Sequence, residues 1–366
     1  HICVSKRSLP STKKYYDTFI HGNSSTMNDI ILNTTVSPID TYEAYWINVV
    51  FLINEYISRY VMLFIWLIGN IGSILSCIIF SKASLRKSPC AMYFIASNIA
   101  QFLIYNFALL TRIFLFGFRV RTVYFNLWYC KFRNYFFYVL LASARYYTIL
   151  ASIDRYFASC RDALRRQWSS PRIALRFIIG STLFWCLIYI HVIVFYQTYP
   201  NNCLPQKGIY NMTFSIYIVI DNGVLPLTFM ILFGFLTFKN LRQMKKRVRP
   251  IVASITTTQS TQTIRALKKD SQFMEMLLSQ IILYIIFNVF NPCFLLYQAL
   301  TINAQKSPIL QQMEVLLNNI SYFLVYIGFS LTFFINIISS SLFRNEFKRL
   351  IQIGVFHYRT VQLTST

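Results

Sequence analysis

The chain has 366 residues, of which 55% are hydrophobic and only 13% are charged. Soluble globular domains carry about 25% charged residues, so this composition excludes an ordinary soluble protein and indicates one that crosses a membrane several times. The formal net charge of +23 does not indicate nucleic-acid binding, because the basic residues fall in short segments between apolar runs.

Residues 1–48 are polar and predict an extracellular tail. They contain two glycosylation sequons, at Asn23 and Asn33, which suit a segment outside the cell. The first residues lack the apolar core of a signal peptide, so we expect either that the start is missing or that the first apolar run is the membrane signal.

Seven apolar runs are long enough for transmembrane helices, which need about 20 residues each. They are Ile53–Phe80, Pro89–Leu115, Asn134–Phe157, Ile173–Tyr196, Met212–Phe238, Phe273–Leu300 and Val315–Ile338. We therefore predict an all-α membrane protein, with a seven-helix bundle over residues 49–340.

Basic residues mark the predicted cytosolic side of this bundle. They are concentrated in the first, third and fifth loops and in the C-terminal tail, whereas the fourth and sixth loops carry one lysine each, Lys207 and Lys306. By the positive-inside rule the tail is cytosolic, and seven crossings then place the N-terminus outside.

The second loop region departs from this rule. On the predicted outer side it carries Arg112, Arg119, Arg121, Lys131 and Arg133. These residues form either a basic extracellular patch or an ordinary solvated loop.

Arg145 is a charge deep inside the third run, about 22 Å along a helix from Cys130. A charge at this depth costs several kcal/mol unless it is paired. Asp221 lies well inside the fifth run, so we predict an intramembrane ion pair between Arg145 and Asp221. The alternatives are a water pocket, or hydrogen bonds from Arg145 to His191 and to backbone carbonyls.

Cys130 and Cys203 fall on the predicted outer side of the bundle, and Cys3 is left over in the N-terminal tail with no obvious partner. Thiols there face an oxidising compartment and could form a disulfide. The sequence contains no phosphate-binding glycine loop, no metal-spaced histidine and cysteine set and no nucleophile beside a base, so we predict neither an enzyme nor a cofactor or metal site.

Residues 341–366 predict an interfacial helix followed by a cytosolic tail. Phe343, Phe347, Leu350 and Ile351 recur at helical spacing between basic residues. This pattern is typical of a helix that lies on anionic membrane lipid.

With these residues placed, the chain resembles the rhodopsin-like (class A) family of G-protein-coupled receptors from about Val49 to Ile351. The matching pieces, in chain order, are Gly69-Asn70, Cys130 with Cys203, Asp154-Arg155-Tyr156, Trp185, Pro226, Phe290-Asn291-Pro292 and Phe343-Arg344. The resemblance implies that Cys130 and Cys203 form a disulfide. It further implies that Asp154, Arg155 and Tyr156 serve coupling to a heterotrimeric G protein.

The resemblance also implies a set of helix-bend and switch residues, in which several family positions are changed. The set is Asn70, Asn98, Pro226, Phe290 and Pro292. Asn98 stands where the family has an acid that helps to hold sodium, and Phe290 stands where it has a tryptophan.

Two further family tyrosines are absent. In the seventh run the tyrosine and proline positions of the family motif fall on Asn336 and Phe333, and a fifth-run tyrosine position falls on Gly234. These departures leave signalling as the least supported part of the resemblance.

The same alignment bears on the ligand. Phe137 stands where amine receptors carry an aspartate, and the seventh run has no lysine for retinal. What remains is an aromatic cavity, for which we predict the residues Phe137, Tyr138, Phe294, Tyr297 and Tyr322. Aromatic residues of this kind also serve as packing or interface anchors. A peptide is the preferred extracellular ligand and a lipid-like molecule the next.

The sequence thus favours a plasma-membrane receptor that passes an extracellular, peptide-type signal to a heterotrimeric G protein. A seven-helix channel or transporter is one alternative, although no internal repeat supports a transporter. A receptor-shaped protein that binds its ligand without signalling is the other.

Overall fold

The structure is a computed structural model that describes residues 38–120, 126–160, 162–199, 202–206, 208–254 and 258–364. Within these ranges, seven helices are long and apolar enough to cross a membrane. The predicted seven-helix membrane fold is confirmed. By its contacts the chain divides after residue 50, and Phe51–Thr366 is the unit that contains the packed bundle.

Short π-helical segments interrupt several of the helices. Helix α1 consists of Pro38–Tyr56, the π segment Ile57–Val61 and Met62–Phe80. Helix α2 consists of Pro89–Ile104, the π segment Tyr105–Leu109, Leu110–Arg112 and the π segment Ile113–Gly117. Helix α3 is continuous over Leu127–Ala158, and helix α4 consists of Pro171–Ile188 and Ile190–Phe195.

Helices in the second half of the bundle are also interrupted. Helix α5 consists of Ile209–Val219, the π segment Ile220–Val224 and Leu225–Ser254. Helix α6 consists of Thr258–Asn288 and Phe290–Leu300, helix α7 is Pro308–Ser339, and helix α8 is Ser341–Thr364. Single turns at Ala83–Arg86 and Ala163–Arg166 lie in the loops after α1 and α3.

The helices extend beyond the apolar runs of the sequence because their ends are polar and capped. Before α3, the side chain of Asn126 accepts hydrogen bonds from backbone N–H groups of the first turn, and before α7 the hydroxyl of Ser307 does the same. Such caps satisfy N–H groups that have no partner within the helix. Helix α1 begins at Pro38, so the predicted tail boundary at residue 48 lies inside a helix.

Helix α3 is the centre of the bundle. It packs against α2, α4, α5 and α6, while α7 packs against α1, α6 and α8. Two large buried clusters hold the helices together. One surrounds Tyr138 and Tyr189, and the other surrounds Phe80 and Phe273. We call the end that carries Cys130 the disulfide end, and the opposite end the Asp-Arg end.

A β-hairpin connects α4 to α5 at the disulfide end. Strand β1, Tyr196–Tyr199, pairs antiparallel with strand β2, Asn202–Pro205, so that Thr198 lies opposite Cys203. The strands are only four residues long, the shortest length at which a period-2 pattern indicates a strand.

Gly69 allows α1 and α2 to approach closely. A Cβ atom built on Gly69 would lie 2.5 Å from Cζ of Tyr105, whose side chain is fully buried. The ring therefore occupies the space that any other residue would need. This contact gives a physical reason for a glycine in the Gly69-Asn70 pair.

Replacing Gly69 with alanine is expected to lower the stability of the purified protein by about 1–3 kcal/mol, the usual cost of overpacking a filled core. The measurement is the midpoint of thermal unfolding. Gly180→Ala is the matched control, because a Cβ atom on Gly180 would have no heavy atom within 4 Å. Equal midpoints for the two variants would contradict the close-packing account.

Candidate functional site

The buried guanidinium of Arg155 joins two helices at the Asp-Arg end. Its Nη2 lies 2.6 Å from Oδ2 of Asp154, the preceding residue on α3, and its Nη1 lies 2.5 Å from Oδ1 of Asp270 on α6. The guanidinium also lies over the ring of Phe273, 5.6 Å from its centroid. Only 4% of Arg155 is exposed, so two carboxylates and one aromatic face stand in for solvent.

The neighbours of Arg155 complete this cluster. Asp154 also accepts a hydrogen bond from the hydroxyl of Ser169, at 2.7 Å, and the Tyr156 ring packs against Phe233 of α5. The pairing of Arg155 with Asp154 agrees with the resemblance. Asp270 was missed, because in the sequence it follows two lysines and looks like part of a solvated basic loop.

Arg145 sits in a second buried polar network, at mid-depth between α3, α5 and α6. Its Nη1 donates to the side-chain and main-chain oxygens of Asn222, and its Nη2 donates to Oδ1 of Asn288 at 3.0 Å. Tyr284 donates its hydroxyl hydrogen to the same main-chain oxygen of Asn222, and its ring lies 5.5 Å from the guanidinium carbon. Neutral oxygens and a ring therefore hold the Arg145 side chain.

The predicted ion pair between Arg145 and Asp221 is wrong as a direct contact. Asp221 instead accepts hydrogen bonds from the hydroxyls of Tyr146, at 3.1 Å, and Tyr189, at 2.5 Å. Both charges are buried, but consecutive residues on a helix point about 100° apart. Asn222, not Asp221, therefore faces Arg145, and the acid turns towards the tyrosines of α3 and α4.

A cavity of about 680 Å³ opens between the helices at the disulfide end. Phe137, Tyr138 and Tyr322 line it as predicted, but Phe294 and Tyr297 do not. The α6 side chains that line it are Leu295, Gln298 and Ala299. The prediction thus identified the correct end of α6. It identified the wrong face of that helix.

Strand β1 begins at one wall of this cavity. The hydroxyls of Tyr138 and Tyr196 lie 3.1 Å apart. Burial raises the pKa of Tyr196 well above its ordinary value, so the phenol stays neutral. Neutral phenols, ring faces and aliphatic carbons together give a wall that suits an apolar ligand body.

Basic side chains also line the cavity. They are Arg112, Arg133 and Lys306, and Glu314 is the acid among the lining residues. Nζ of Lys306 lies 2.6 Å from Oε1 of Glu314. The sequence placed Arg112 and Arg133 in a basic outer region, and the structure brings both to the cavity wall.

A disulfide between Cys130 and Cys203 ties strand β2 to the start of α3. The two Cα atoms are 5.8 Å apart, a normal separation for a bridge. Since Cys203, Leu204 and Pro205 line the cavity, the bridge fixes one of its walls. The predicted pairing is confirmed.

A family model for the seven-transmembrane receptors of the rhodopsin family matches residues 69–328. The match covers more than half of the chain and all the helices that build the two polar networks. The chain belongs to the rhodopsin family. No curated protein matches this rhodopsin-family receptor.

Two of the expected switch positions of this receptor, Phe290 and Pro292, lie beside a break in helix α6. Helix α6 is interrupted at Val289, within a turn of Pro292, which cannot donate a backbone hydrogen bond. Phe290 is 40% exposed and stacks on Phe294 of its own helix. The Phe290 ring therefore points away from the buried core. A side chain that switches its contacts between helices would have to lie inside that core.

The two asparagines of the expected set lie on α1 and α2. Asn70 accepts a hydrogen bond from Asn106 at 2.7 Å, which links α1 to α2. Asn98 is buried and donates to the main-chain oxygen of Phe94, on its own helix. Both amides are neutral, so they add no charge to the bundle.

The changed seventh-helix positions are also packed into the receptor core. Asn336 is fully buried and accepts a hydrogen bond from Gln280 of α6, at 3.2 Å. Phe333 packs against the rings of Phe343 and Phe347 on α8. These contacts join α6, α7 and α8, although they do so with residues that differ from the family motif.

Part of the predicted lipid-facing side of α8 is used for this packing. Phe343 is only 1% exposed, whereas Ile351 is 47% exposed. Contact of α8 with membrane lipid remains a prediction. The sequons at Asn23 and Asn33 lie outside the described residues.

Removing the disulfide is expected to cost the receptor roughly 2–5 kcal/mol, because the bridge closes a long loop. The change is Cys130→Ser or Cys203→Ser, measured as the midpoint of thermal unfolding, and both variants should lose the same amount. Cys293→Ser is the control, since Cys293 is a free, exposed cysteine. A variant at Cys130 that unfolds with the parent midpoint would contradict a structural role for the bridge.

Proposed function

We propose that this rhodopsin-family protein is a cell-surface receptor that binds an extracellular ligand, of peptide type, in the cavity at the disulfide end. It passes the signal to a heterotrimeric G protein at the Asp-Arg end. The observation that carries this proposal is the contact of the buried Arg155 side chain on α3 with Asp270 on α6, at the opposite end of the bundle from the cavity.

The contact between Arg155 and Asp270 is the one that a parting of the helices would break. Asp154 belongs to α3 itself, so its contact with Arg155 does not depend on the distance between helices. The side chain of Asp270 is 38% exposed, against 5% for that of Asp154. Breaking an ion pair that has one hydrated partner costs less than breaking a fully buried pair, which suits a contact that opens reversibly.

A second link holds α6 to the junction of α7 and α8. Nε2 of Gln272 donates to the Ser341 hydroxyl at 2.5 Å, and its Oε1 accepts from the backbone N–H of Leu342 at 2.8 Å. An outward movement of α6 must release these hydrogen bonds together with the contact of Arg155. The resting state is thus held by a small set of polar contacts, and a partner that accepts the freed Arg155 would favour the open state.

The ligand side of the proposal is supported by the shape and chemistry of the cavity. About 680 Å³ lies within the usual range for ligand sites, roughly 300–1,000 Å³. Its lining combines seven aromatic residues with ten polar or charged ones. Helix α3 runs from this wall to Arg155, so one element contacts both ends of the bundle.

Expression in cells with a G-protein dissociation sensor tests the coupling step. We expect a peptide library to contain members that raise dissociation above that of cells without the receptor. A library member that stabilises the purified protein without any dissociation signal would favour a receptor-like binder that does not signal.

Glycan mapping tests the proposed plasma-membrane orientation. The basic loops at the Asp-Arg end favour a cytosolic position for that end. We therefore expect glycans at Asn23 and Asn33 in surface-expressed protein, and their loss in Asn23→Gln and Asn33→Gln variants. Protease access to the C-terminal tail from outside intact cells would contradict this orientation.

A further inference from the structure

The cavity at the disulfide end carries more positive than negative charge. Three basic side chains line it, against one acid. Lys306 and Glu314 neutralise each other at 2.6 Å, and Glu314 also accepts from the hydroxyl of Tyr297 at 3.0 Å. The other two basic side chains of the lining are Arg112 on α2 and Arg133 on α3.

Arg112 is held firmly, and it is held by neutral groups. Its Nη1 donates to Oδ1 of Asn319 at 2.9 Å, and its guanidinium carbon lies 3.9 Å from the ring centroid of Tyr322. Asn319 is fixed in turn, since its amide donates to Asn54 at 2.6 Å and to Ser58 at 2.8 Å. The side chain is therefore oriented before any ligand arrives.

No carboxylate lies within 4 Å of the Arg112 guanidinium among the residues that the structure describes. Elsewhere in the same ranges, Arg59 and Arg119 both contact Glu55, and Arg155 contacts two acids. A guanidinium in a partly desolvated site gains most from a charged acceptor, because it can donate two parallel hydrogen bonds to a carboxylate. Arg112 lines the cavity, and its partners Asn319 and Tyr322 are neutral. Its guanidinium is therefore oriented to bind a charged acceptor in the cavity.

We infer that the ligand carries a carboxylate that binds Arg112, with an apolar body packed against Phe137 and Tyr138. This inference rests on the proposed function, since it takes the cavity as the ligand site. Arg133, on the neighbouring helix α3, lines the same cavity. Both the C-terminus of a peptide and the head group of a fatty acid offer this chemistry, and the test separates the two.

The test measures thermal unfolding of the purified receptor in lipid nanodiscs with paired probes. One pair is a pool of short aromatic peptides with a free C-terminal carboxylate and the same pool with a C-terminal amide. The other pair is oleic acid and oleamide. We expect one acid probe to raise the unfolding midpoint while its amide partner does not, and the pair that responds identifies the source of the carboxylate.

Arg112→Gln should then weaken the effective acid probe by about tenfold to hundredfold in half-saturating concentration, which corresponds to the loss of one charge-assisted interaction. Arg112→Lys, which keeps the charge without the fork, should lose less. Arg119→Gln is the matched control, because Arg119 is an exposed arginine at the same end whose partner is Glu55 and which does not line the cavity.

The inference is overturned if neither acid probe shifts the midpoint, if acid and amide shift it equally, or if Arg112→Gln responds as the parent does. The comparison of acid with amide on the parent protein stands even where Arg112→Gln fails to fold. The assay contains no G protein, so a receptor that binds the acid and does not couple would refute the proposed signalling and leave this inference intact.

Discussion

Replacing Arg155 with alanine is expected to reduce G-protein activation per surface receptor to the background of cells that lack it. Arg155 is the group that the proposed opening frees for the partner, and alanine cannot replace its donors. Asp154→Asn should act in the opposite direction and raise basal activation, because it removes the most buried of the two charges that hold Arg155. The measurement is G-protein dissociation in cells, divided by surface expression.

Asp270→Asn provides an independent arm of the same test. It removes only the contact between helices, so it should also raise basal activation while leaving Arg155 paired within α3. Arg165→Ala is the matched control, since Arg165 is an exposed arginine at the same end, 3.8 Å from Asp162. If the Arg155 and Asp154 variants signal like the parent, the cluster has a structural role only.

Replacing Arg145 with methionine is expected to destabilise the receptor by about 2–6 kcal/mol, because two buried amide side chains each lose a donor at about 1–3 kcal/mol apiece. The change leaves the side-chain oxygens of Asn222 and Asn288 without their donor and leaves the buried charge of Asp221 without its nearest compensation. The measurement is the midpoint of thermal unfolding of solubilised receptor.

A pair of double-mutant cycles distinguishes the observed network from a direct ion pair. Arg145→Met combined with Asn222→Leu should show a coupling of about 0.5–3 kcal/mol, as residues in direct contact do. Arg145→Met combined with Asp221→Leu should show a smaller coupling, because those side chains do not touch. A larger coupling with Asp221 than with Asn222 would contradict the network described above.

The Arg145 network shows which features of a buried site can be predicted from the sequence alone. The depth of Arg145 and Asp221 in their runs follows from residue counting, and both are buried as that depth requires. Which residue of α5 meets Arg145 depends on the rotation of the helix about its axis. Depth gives no information on rotation, and the π segment at Ile220–Val224 shifts the helical phase just where the two residues lie.

The cavity residues on α3 and on α6 also differ in how well the sequence predicts them. Phe137 is placed by counting back along the family alignment from Arg155, and this count holds because α3 is one continuous helix. On α6 the break at Val289 changes the phase before Phe294 and Tyr297, and both miss the cavity. The hairpin and Asp270 were missed for local reasons, since four-residue strands and a lone acid beside lysines resemble a loop.

The most direct test of the account is nucleotide exchange with purified components. Asp154→Asn receptor in nanodiscs, which should be active without a ligand, is mixed with each class of heterotrimeric G protein, and GTP binding is followed over time. The account predicts faster exchange for at least one class than with empty nanodiscs, and loss of that acceleration in the Asp154→Asn/Arg155→Ala double variant. Exchange at the empty-nanodisc rate with every class, from a receptor that unfolds cooperatively, would contradict it.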